Sequence, residues 1–334
     1  MIPFGIIGTG KITRTFLEAV QSVPELALGA VYSRSLEKAQ SFGAEYGAKV
    51  FTDSLEELAA DRDVQAVYIA SPNCCHCEQA IRMMDAGKHV LCEKPAASNQ
   101  EEYQRMLEAA RRNGVVFFEA MRPAFTPEMA MVEETLPRLG KIRQASFSFC
   151  QYSSRYDNFK NGMIENAFRP ELSNGSLMDI GVYCIHWMVR LFGMPENLQA
   201  SPIFLENGVD GAGAIIGTYP DMQVQLLYSK ICDGHTPSEI QGENGSLLMD
   251  TVSQPQKLTL CLRGQAPEAL PVTPCANNMV YEARRWAQWI TRGPDRELFR
   301  VQDDTMTELR VLDKVRALCG IRFPADEQIT QILH

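Results

Sequence analysis

An apolar run at residues 2–7 ends in Gly8-Thr9-Gly10, and a helical pattern starts on the next residue. A strand that turns into a helix within three residues has to cross back to its own sheet, and repeated βαβ units of this kind build a parallel sheet covered by helices. The first 119 residues keep that rhythm. β-rich runs at 26–32, 49–51, 65–70, 89–92 and 115–118 alternate with amphipathic stretches, so six strands are predicted. Starts and stops are chemical. Ser54 with Glu57 and Ser98 with Glu101 fit the capping box, while Gly87 and Gly114 stand where a left-handed residue ends a helix.

After Met121 the texture changes. Strand-like runs at 142–150, 198–205, 212–219, 223–231, 246–250 and 257–262 follow one another with few helices between them, and helical patterns return at 278–292 and 303–319. Such an order favours a mostly antiparallel sheet with helices on one face. The expected architecture is an N-terminal Rossmann domain, doubly wound and parallel, over 1–121, then an α+β domain with a large, open-faced sheet over 122–334. The hinge is expected near 122–127, where two prolines lie close together.

The glycine turn has a specific chemical use. Gly8 permits the tight bend, and Gly10 lets backbone approach a diphosphate, which the first helical N–H groups at Lys11 and Ile12 and the positive end of the helix would hold. Thr13 stands where the dinucleotide fingerprint carries a third small residue, so the match is incomplete there. The end of the second predicted strand distinguishes between dinucleotides. An NAD reader places a carboxylate there for the ribose 2′-hydroxyl, whereas this chain has Ser33-Arg34, with Lys38 one helical turn on. A hydroxyl and two cations suit a 2′-phosphate, so NADP is expected, with NAD as the alternative.

The fourth and fifth predicted strands end in Ser71-Pro72-Asn73-Cys74-Cys75-His76 and Cys92-Glu93-Lys94-Pro95. Carboxyl ends of parallel strands are where doubly wound sheets take ligands. Ser71, Pro72, Asn73, His76, Glu93, Lys94 and, after the sixth strand, Arg122 are therefore candidate cofactor neighbours. The cysteine cluster around His76 lacks the spacing of a zinc site and has no second Cys-x-x-Cys half, so no metal is expected.

Together the G-x-G turn, P-N-x-x-H and E-K-P resemble the Gfo/Idh/MocA oxidoreductases, and the segment from Gly175 to Tyr183 is similar to that family's G-x-x-x-D-x-G-x-H. The resemblance covers nearly the whole chain. It implies that Lys94 acts beside the residue at 183, here tyrosine where many members have histidine. Tyrosine there, with Glu119-Ala120-Met121 and Tyr281-Glu282-Ala283, resembles the dimeric dihydrodiol dehydrogenase and glucose–fructose oxidoreductase branches. The implied mechanism has Tyr183 transfer the substrate hydroxyl proton during hydride exchange with a nicotinamide. Lys94 would favour the ionised phenol and bond the same oxygen, and Asp179 would orient Lys94 or the substrate.

A helix over 175–192 supports a site without that resemblance. At about 100° per residue Asp179, Tyr183, His186 and Arg190 share one polar seam on a segment that is otherwise apolar or small. Buried polar groups are costly unless paired or functional, which leaves either a site or an internal structural network. His186 and Arg169 are candidate substrate contacts.

Charge and hydropathy narrow the partners. A formal net charge of −9 without a long basic run speaks against nucleic acid. No apolar run reaches the roughly 18–20 residues needed to cross a bilayer, and the N-terminus lacks the marks of a secretion signal. Ten cysteines without a disulfide framework suit a reducing compartment, so a cytoplasmic protein is expected. The leading expectation is an NADP-dependent oxidoreductase of a secondary alcohol or carbonyl on a sugar or cyclic diol, working in a cleft between the domains. A homodimer or homotetramer joined through the open sheet is expected. Two other readings stay open: a glycoside hydrolase of the same fold that retains its dinucleotide, and a dinucleotide-binding regulator without chemistry.

Overall fold

The computed structural model describes residues 1–327. Its first sheet contains β1 (Ile2–Ile7), β2 (Leu26–Tyr32), β3 (Val50–Thr52), β4 (Ala66–Ile69), β5 (His89–Glu93) and β6 (Phe117–Ala120). They lie in the order β3-β2-β1-β4-β5-β6, every pair parallel. This is the doubly wound order whose direction reverses between β1 and β4, and ligands bind outside the carboxyl ends at that reversal. The crossovers are α1 (Lys11–Val20), α2 (Leu36–Glu45), α3 (Leu55–Ala60), α4 (His76–Asp85) and α5 (Gln100–Asn113).

Helix starts follow capping chemistry, with one correction. Ser54 accepts from the Glu57 N–H as expected, but α5 is capped by Asn99, which accepts from the Glu102 N–H. Ser98 instead gives its own N–H to the Glu102 carboxylate. The box has slipped by one residue because Asn99 is an equally good cap and Glu102 an equally good return partner. Gly114 ends α5 at φ 63°, the expected left-handed stop.

The second sheet comprises β7 (Ile142–Cys150), β8 (Asn197–Phe204), β9 (Asp210–Thr218), β10 (Gln223–Ser229), β11 (Ser238–Gly242), β12 (Gly245–Met249), β13 (Leu258–Leu262) and β14 (Glu268–Ala269). Their order is β14-β13-β12-β11-β7-β10-β9-β8, antiparallel except for β7 beside β10. Sequence patterning missed β11 and β14. In Ser238-Glu239-Ile240-Gln241-Gly242 only Ile240 is both apolar and buried, too little for a periodic signal. The sheet's helices include α6 (Pro127–Thr135), α7 (Ser154–Lys160) and α8 (Val182–Phe192). The helix expected from residue 175 is in fact a π-helical turn, Leu177–Gly181, running into α8.

Two further helices are α9 (Met279–Arg292) and α10 (Arg296–Cys319), the latter starting seven residues before its predicted position. The chain divides into two compact units, 1–125 with 276–303, and 126–275 with 304 onward. That corrects the expectation of one unbroken second domain from 122. The reason is the apolar face of α9. Trp286 meets the rings of Phe4 and Phe16, Trp289 meets Phe118 and Phe125, and the Asn277 amide donates to Thr15 O at 2.7 Å. Large aromatic surfaces buried in this way hold a helix to its sheet regardless of chain order.

Candidate active site

Gly8 takes φ +105°, and a Cβ there would stand 2.4 Å from Ala70 O, so only glycine lets the β1 turn approach the end of β4. Gly10 is different. It begins α1 with ordinary backbone angles, and a Cβ on it would meet nothing within 4 Å. The space above the helix N-terminus is therefore open, as a bound diphosphate requires. Thr13, the departure from the fingerprint, is buried and donates its hydroxyl to Gly8 O at 3.0 Å. It pins the turn by a hydrogen bond that glycine could not make.

Around this turn stand the other candidates of the first unit. Lys11, Arg34 and Lys38 are exposed, while Ile12 and Ser33 are half-buried. Ser33 is fixed through its N–H to Thr52 O at 3.2 Å, and Ser35 caps α2, so Arg34 projects from a held corner at the end of β2. These residues fit a dinucleotide carrying a phosphate on its adenosine ribose. Ser71 bonds Gln79, Pro72 is half-buried, and the buried Asn73 opens a 3-10 turn. His76 is fully buried, with Nδ1 2.9 Å from Pro95 O and Nε2 2.9 Å from Ser71 O. It clamps the loops after β4 and β5 to each other. Burial holds its pKa below the usual value, against the opposite pull of the two carbonyls.

From Val90 to Asn99 every residue is buried except Lys94. The loop that presents it is anchored by two interior carboxyl groups. Glu93 accepts from the Tyr68 hydroxyl at 2.6 Å and from the Lys94 N–H at 3.2 Å, and Glu119 accepts from the Ala96 N–H at 2.7 Å. Burial raises the Glu93 pKa, opposed by Tyr68, Lys94 and Arg122. Arg122 is half-buried at the start of the 3-10 turn after β6. Glu119 was visible in the sequence only as part of a three-residue string, and nothing in that string announced its anchoring role.

In the second unit the polar seam divides. Within residues 175–189 only Asp179 is not buried, and Tyr183 is 5% exposed with its ring edge-on to Phe149. His186 and Arg190 belong to the structural network. His186 Nδ1 lies 2.7 Å from the buried Glu308 carboxylate, and Arg190 bonds Glu133 at 2.9 Å and Asp304 at 2.8 Å. Arg169 is exposed and holds its own loop, donating to Ile164 O at 3.1 Å and Glu171 at 3.5 Å.

Sequence reasoning missed Lys230 and Asp210. Lys230, 3% exposed just beyond β10, donates to Asp179 and lies 5.0 Å from the Phe168 ring centroid. A lysine closing an alternating strand is the one signal that could have found it. Asp210 accepts from the Leu177 N–H at 2.6 Å and is pushed up to about 7 by burial, with the Leu177 and Ser176 N–H groups and Lys230 pulling the other way. Gly175 has to be glycine beside it, since φ is +154° and a Cβ would fall 2.0 Å from Asp210 Oδ1. The π-helical turn carrying Asp179 is thus capped from β9 and paired from the end of β10. Turns of this type recur at functional sites.

Residues 2–121 match the oxidoreductase family with an NAD-binding Rossmann fold, and residues 136–248 match the Gfo/Idh/MocA C-terminal domain. The chain belongs to the Gfo/Idh/MocA oxidoreductases. Among its relatives is the scyllo-inositol 2-dehydrogenase (NADP(+)) IolU of Bacillus subtilis, 43% identical over 98% of this chain and 100% of that protein. The trans-1,2-dihydrobenzene-1,2-diol dehydrogenase of Danio rerio is 28% identical over 97% of this chain and 99% of its own. Among solved structures, KijD10, a 3-ketoreductase from Actinomadura kijaniata in complex with NADP and TDP-benzene, superposes with a TM-score of 0.83. It is 25% identical, and the match covers 96% of this chain and 98% of that one. The family membership makes this chain an oxidoreductase that uses a nicotinamide dinucleotide. No described helix is long and apolar enough to cross a membrane.

Proposed function

We propose that this oxidoreductase is an NADP-dependent dehydrogenase of a secondary alcohol on a polyhydroxylated ring, with a cyclic polyol of the inositol type as its substrate. The observation that carries the reading is Lys94, the one unburied residue in the segment from Val90 to Asn99, on a loop tied down by Glu93 and Glu119. Similarity to an NADP-dependent inositol dehydrogenase over the whole chain supports the substrate class.

Gly8, Gly10, Lys11 and Ile12 would hold the diphosphate, and Ser33, Arg34 and Lys38 the 2′-phosphate. Ser71, Pro72, Asn73, Glu93 and Arg122 would border the rest of the dinucleotide, with His76 positioning their loops from behind. When bound, NADP supplies the acceptor or donor of hydride. The chain's own part is proton movement and orientation. Tyr183 Oη takes the proton of the substrate hydroxyl as its carbon is oxidised and returns it in reduction. Lys94 Nζ donates to the same substrate oxygen, which stabilises the negative charge that develops there. Asp179, set by Lys230, accepts a neighbouring hydroxyl of the ring.

The open face of the second sheet carries Ile203, Ile216 and Leu227, all exposed. We propose that a second copy covers it, giving a homodimer or a homotetramer, which sedimentation equilibrium would show directly. All ten cysteines are unbridged, as suits the cytoplasm.

The test of the reaction is reduction of NADP and NAD followed by absorbance against a panel of inositols, sugars and cyclic diols. Wild-type protein should reduce NADP with an inositol. Lys94→Met and Tyr183→Phe should each lose that activity by roughly 100-fold or more while still binding NADP. Unchanged turnover in both variants overturns the assignment.

A further inference from the structure

Glu282 has no place in the chemistry above, yet it is the least ordinary carboxyl group in the first unit. It lies on α9, is 0% exposed, and neither of its side-chain oxygens has a hydrogen-bond partner. One turn further along, Trp286 meets Phe4 and Phe16, and residues four apart share a helix face. Phe16 in turn stacks on Tyr68 at 3.9 Å, and the Tyr68 hydroxyl reaches Glu93. Glu282 therefore faces the wall that carries the Lys94 loop.

The groups around it are mostly acidic. Glu282 feels Glu93 and Arg122, and Tyr68 feels Glu282, Glu93 and Cys92. Glu119 adds to the negative charge at Cys92, and Lys94 and Arg122 are the cations near Glu93. Two carboxylates that feel each other in a dry interior repel, and each also loses its hydration, so one of them keeps a proton. Their partners say which one. Glu93 accepts two hydrogen bonds, from the Tyr68 O–H and the Lys94 N–H, and donors of that kind favour the ionised form. Glu282 accepts none, and an unpartnered neutral acid costs far less to bury than an unpartnered anion.

We propose that Glu282 is the proton-bearing half of a buried carboxylic acid–carboxylate pair with Glu93, and that its neutrality keeps Glu93 ionised under the Lys94 loop. Glu282 is then a positioning residue acting through Glu93, and its link to activity rests on the catalytic reading of Lys94. Glu93 in its ionised form holds the Lys94 N–H and complements the ammonium. A second negative charge at 282 would draw a proton onto Glu93 and loosen that anchor.

The experiment is infrared spectroscopy of the full chain at neutral pH, comparing wild type with Glu282→Gln. The carbonyl band of protonated carboxylic acids should be stronger in wild type than in the variant, the difference being the Glu282 acid, because Asp210, itself pushed up to about 7, absorbs there in both proteins. An identical band in both overturns the proposal, and this arm fails or holds whatever Lys94 does. Should the variant not fold, wild-type protein labelled with 13C-glutamate still tests the proposal, because absence of any isotope-shifted acid band at neutral pH overturns it. The second arm is the pH profile of kcat/KM. Glu282→Gln should stay within about threefold of wild type at neutral pH and extend activity to higher pH, because its amide cannot ionise. An unchanged alkaline limb, with the acid band weakened as expected, overturns the link to Lys94.

Discussion

Nδ1 of His76 lies 2.9 Å from the carbonyl oxygen of Pro95, one residue beyond Lys94, and Nε2 of the same ring lies 2.9 Å from that of Ser71. The loops after two adjacent strands thus share a single buried ring. Replacing His76 with alanine removes the ring from two interior carbonyls and leaves a cavity, for an expected loss of about 2–4 kcal/mol in unfolding free energy. Because the loop also carries Lys94, kcat should fall by on the order of 100-fold. Denaturant unfolding and steady-state kinetics on the same variant check both numbers. The ring titrates with a defined sign. Burial depresses its folded pKa below the unfolded value of about 6.5, so its contribution to stability is present above pH ~6.5 and is lost as pH falls through the folded value. His76→Gln should flatten that acid-side loss, and an equal slope in both proteins counts against it.

The parts of this design that were legible in the sequence are those written in local pattern. Strand β1 and the glycine turn were plain because a short apolar run, two glycines and an amphipathic helix are contiguous. Strand β11 was not, since its pairing with β7 and β12 comes from distant neighbours and not from alternation of its own residues. The same distinction holds at the site. Lys94 and Asp179 stand in recognisable strings, whereas Lys230 and Asp210 reach the π-helical turn from separate strands and carry no common motif. Likewise α9 reads as an ordinary amphipathic helix, and nothing local says that its tryptophans belong to the first sheet.

The two glycines of the first turn should respond to alanine in opposite ways. At Gly8 the new methyl would collide with the backbone of Ala70 and the residue would be held at φ +105°, so Gly8→Ala should unfold at a clearly lower temperature. At Gly10 the methyl meets no protein atom and the backbone is ordinary, so Gly10→Ala should melt within about 1 °C of wild type, or slightly above it. Its methyl would occupy the space proposed for the diphosphate. The dissociation constant for NADP should therefore rise by roughly tenfold or more with no loss of fold. Calorimetric titration beside a melting curve separates the two effects, and a Gly10→Ala protein that binds NADP normally would remove the diphosphate from this turn.

Cofactor preference is expected to depend most on one side chain. Arg34 is exposed at the end of β2, where no carboxylate stands to bond a free ribose hydroxyl. A charge-assisted hydrogen bond contributes about 1.5–3 kcal/mol, so Arg34→Ala should weaken NADP by roughly 10- to 100-fold and leave NAD nearly unchanged. Lys38→Ala should give a smaller shift in the same direction, further reduced by salt because the group is exposed. Equal losses for both dinucleotides would mean that Arg34 reads some feature other than the 2′-phosphate.

Asp179, Lys230 and Asp210 form a charge arrangement that can be taken apart by pH. Burial lifts Asp210 to about 7, against an unfolded value of about 3.9, so the proton it holds in the native state is lost on unfolding. A group with a raised folded pKa gives its full stabilisation below the unfolded value and loses it as pH rises through the folded one. Stability of the second unit should therefore decline between about pH 4 and pH 7 on account of Asp210. Asp210→Asn keeps an oxygen for the Leu177 N–H and cannot ionise, so its stability should change less over that window. Lys230 opposes the shift, since its ammonium favours the ionised carboxylate. Lys230→Met should then move the decline toward higher pH, besides costing about 2–3 kcal/mol for taking the cation from Asp179, whose side chain is 31% exposed. Urea unfolding of the three proteins at several pH values provides the comparison. If wild type and Asp210→Asn show parallel curves from pH 4 to pH 7, the proton is held elsewhere, and Lys230 serves Asp179 alone.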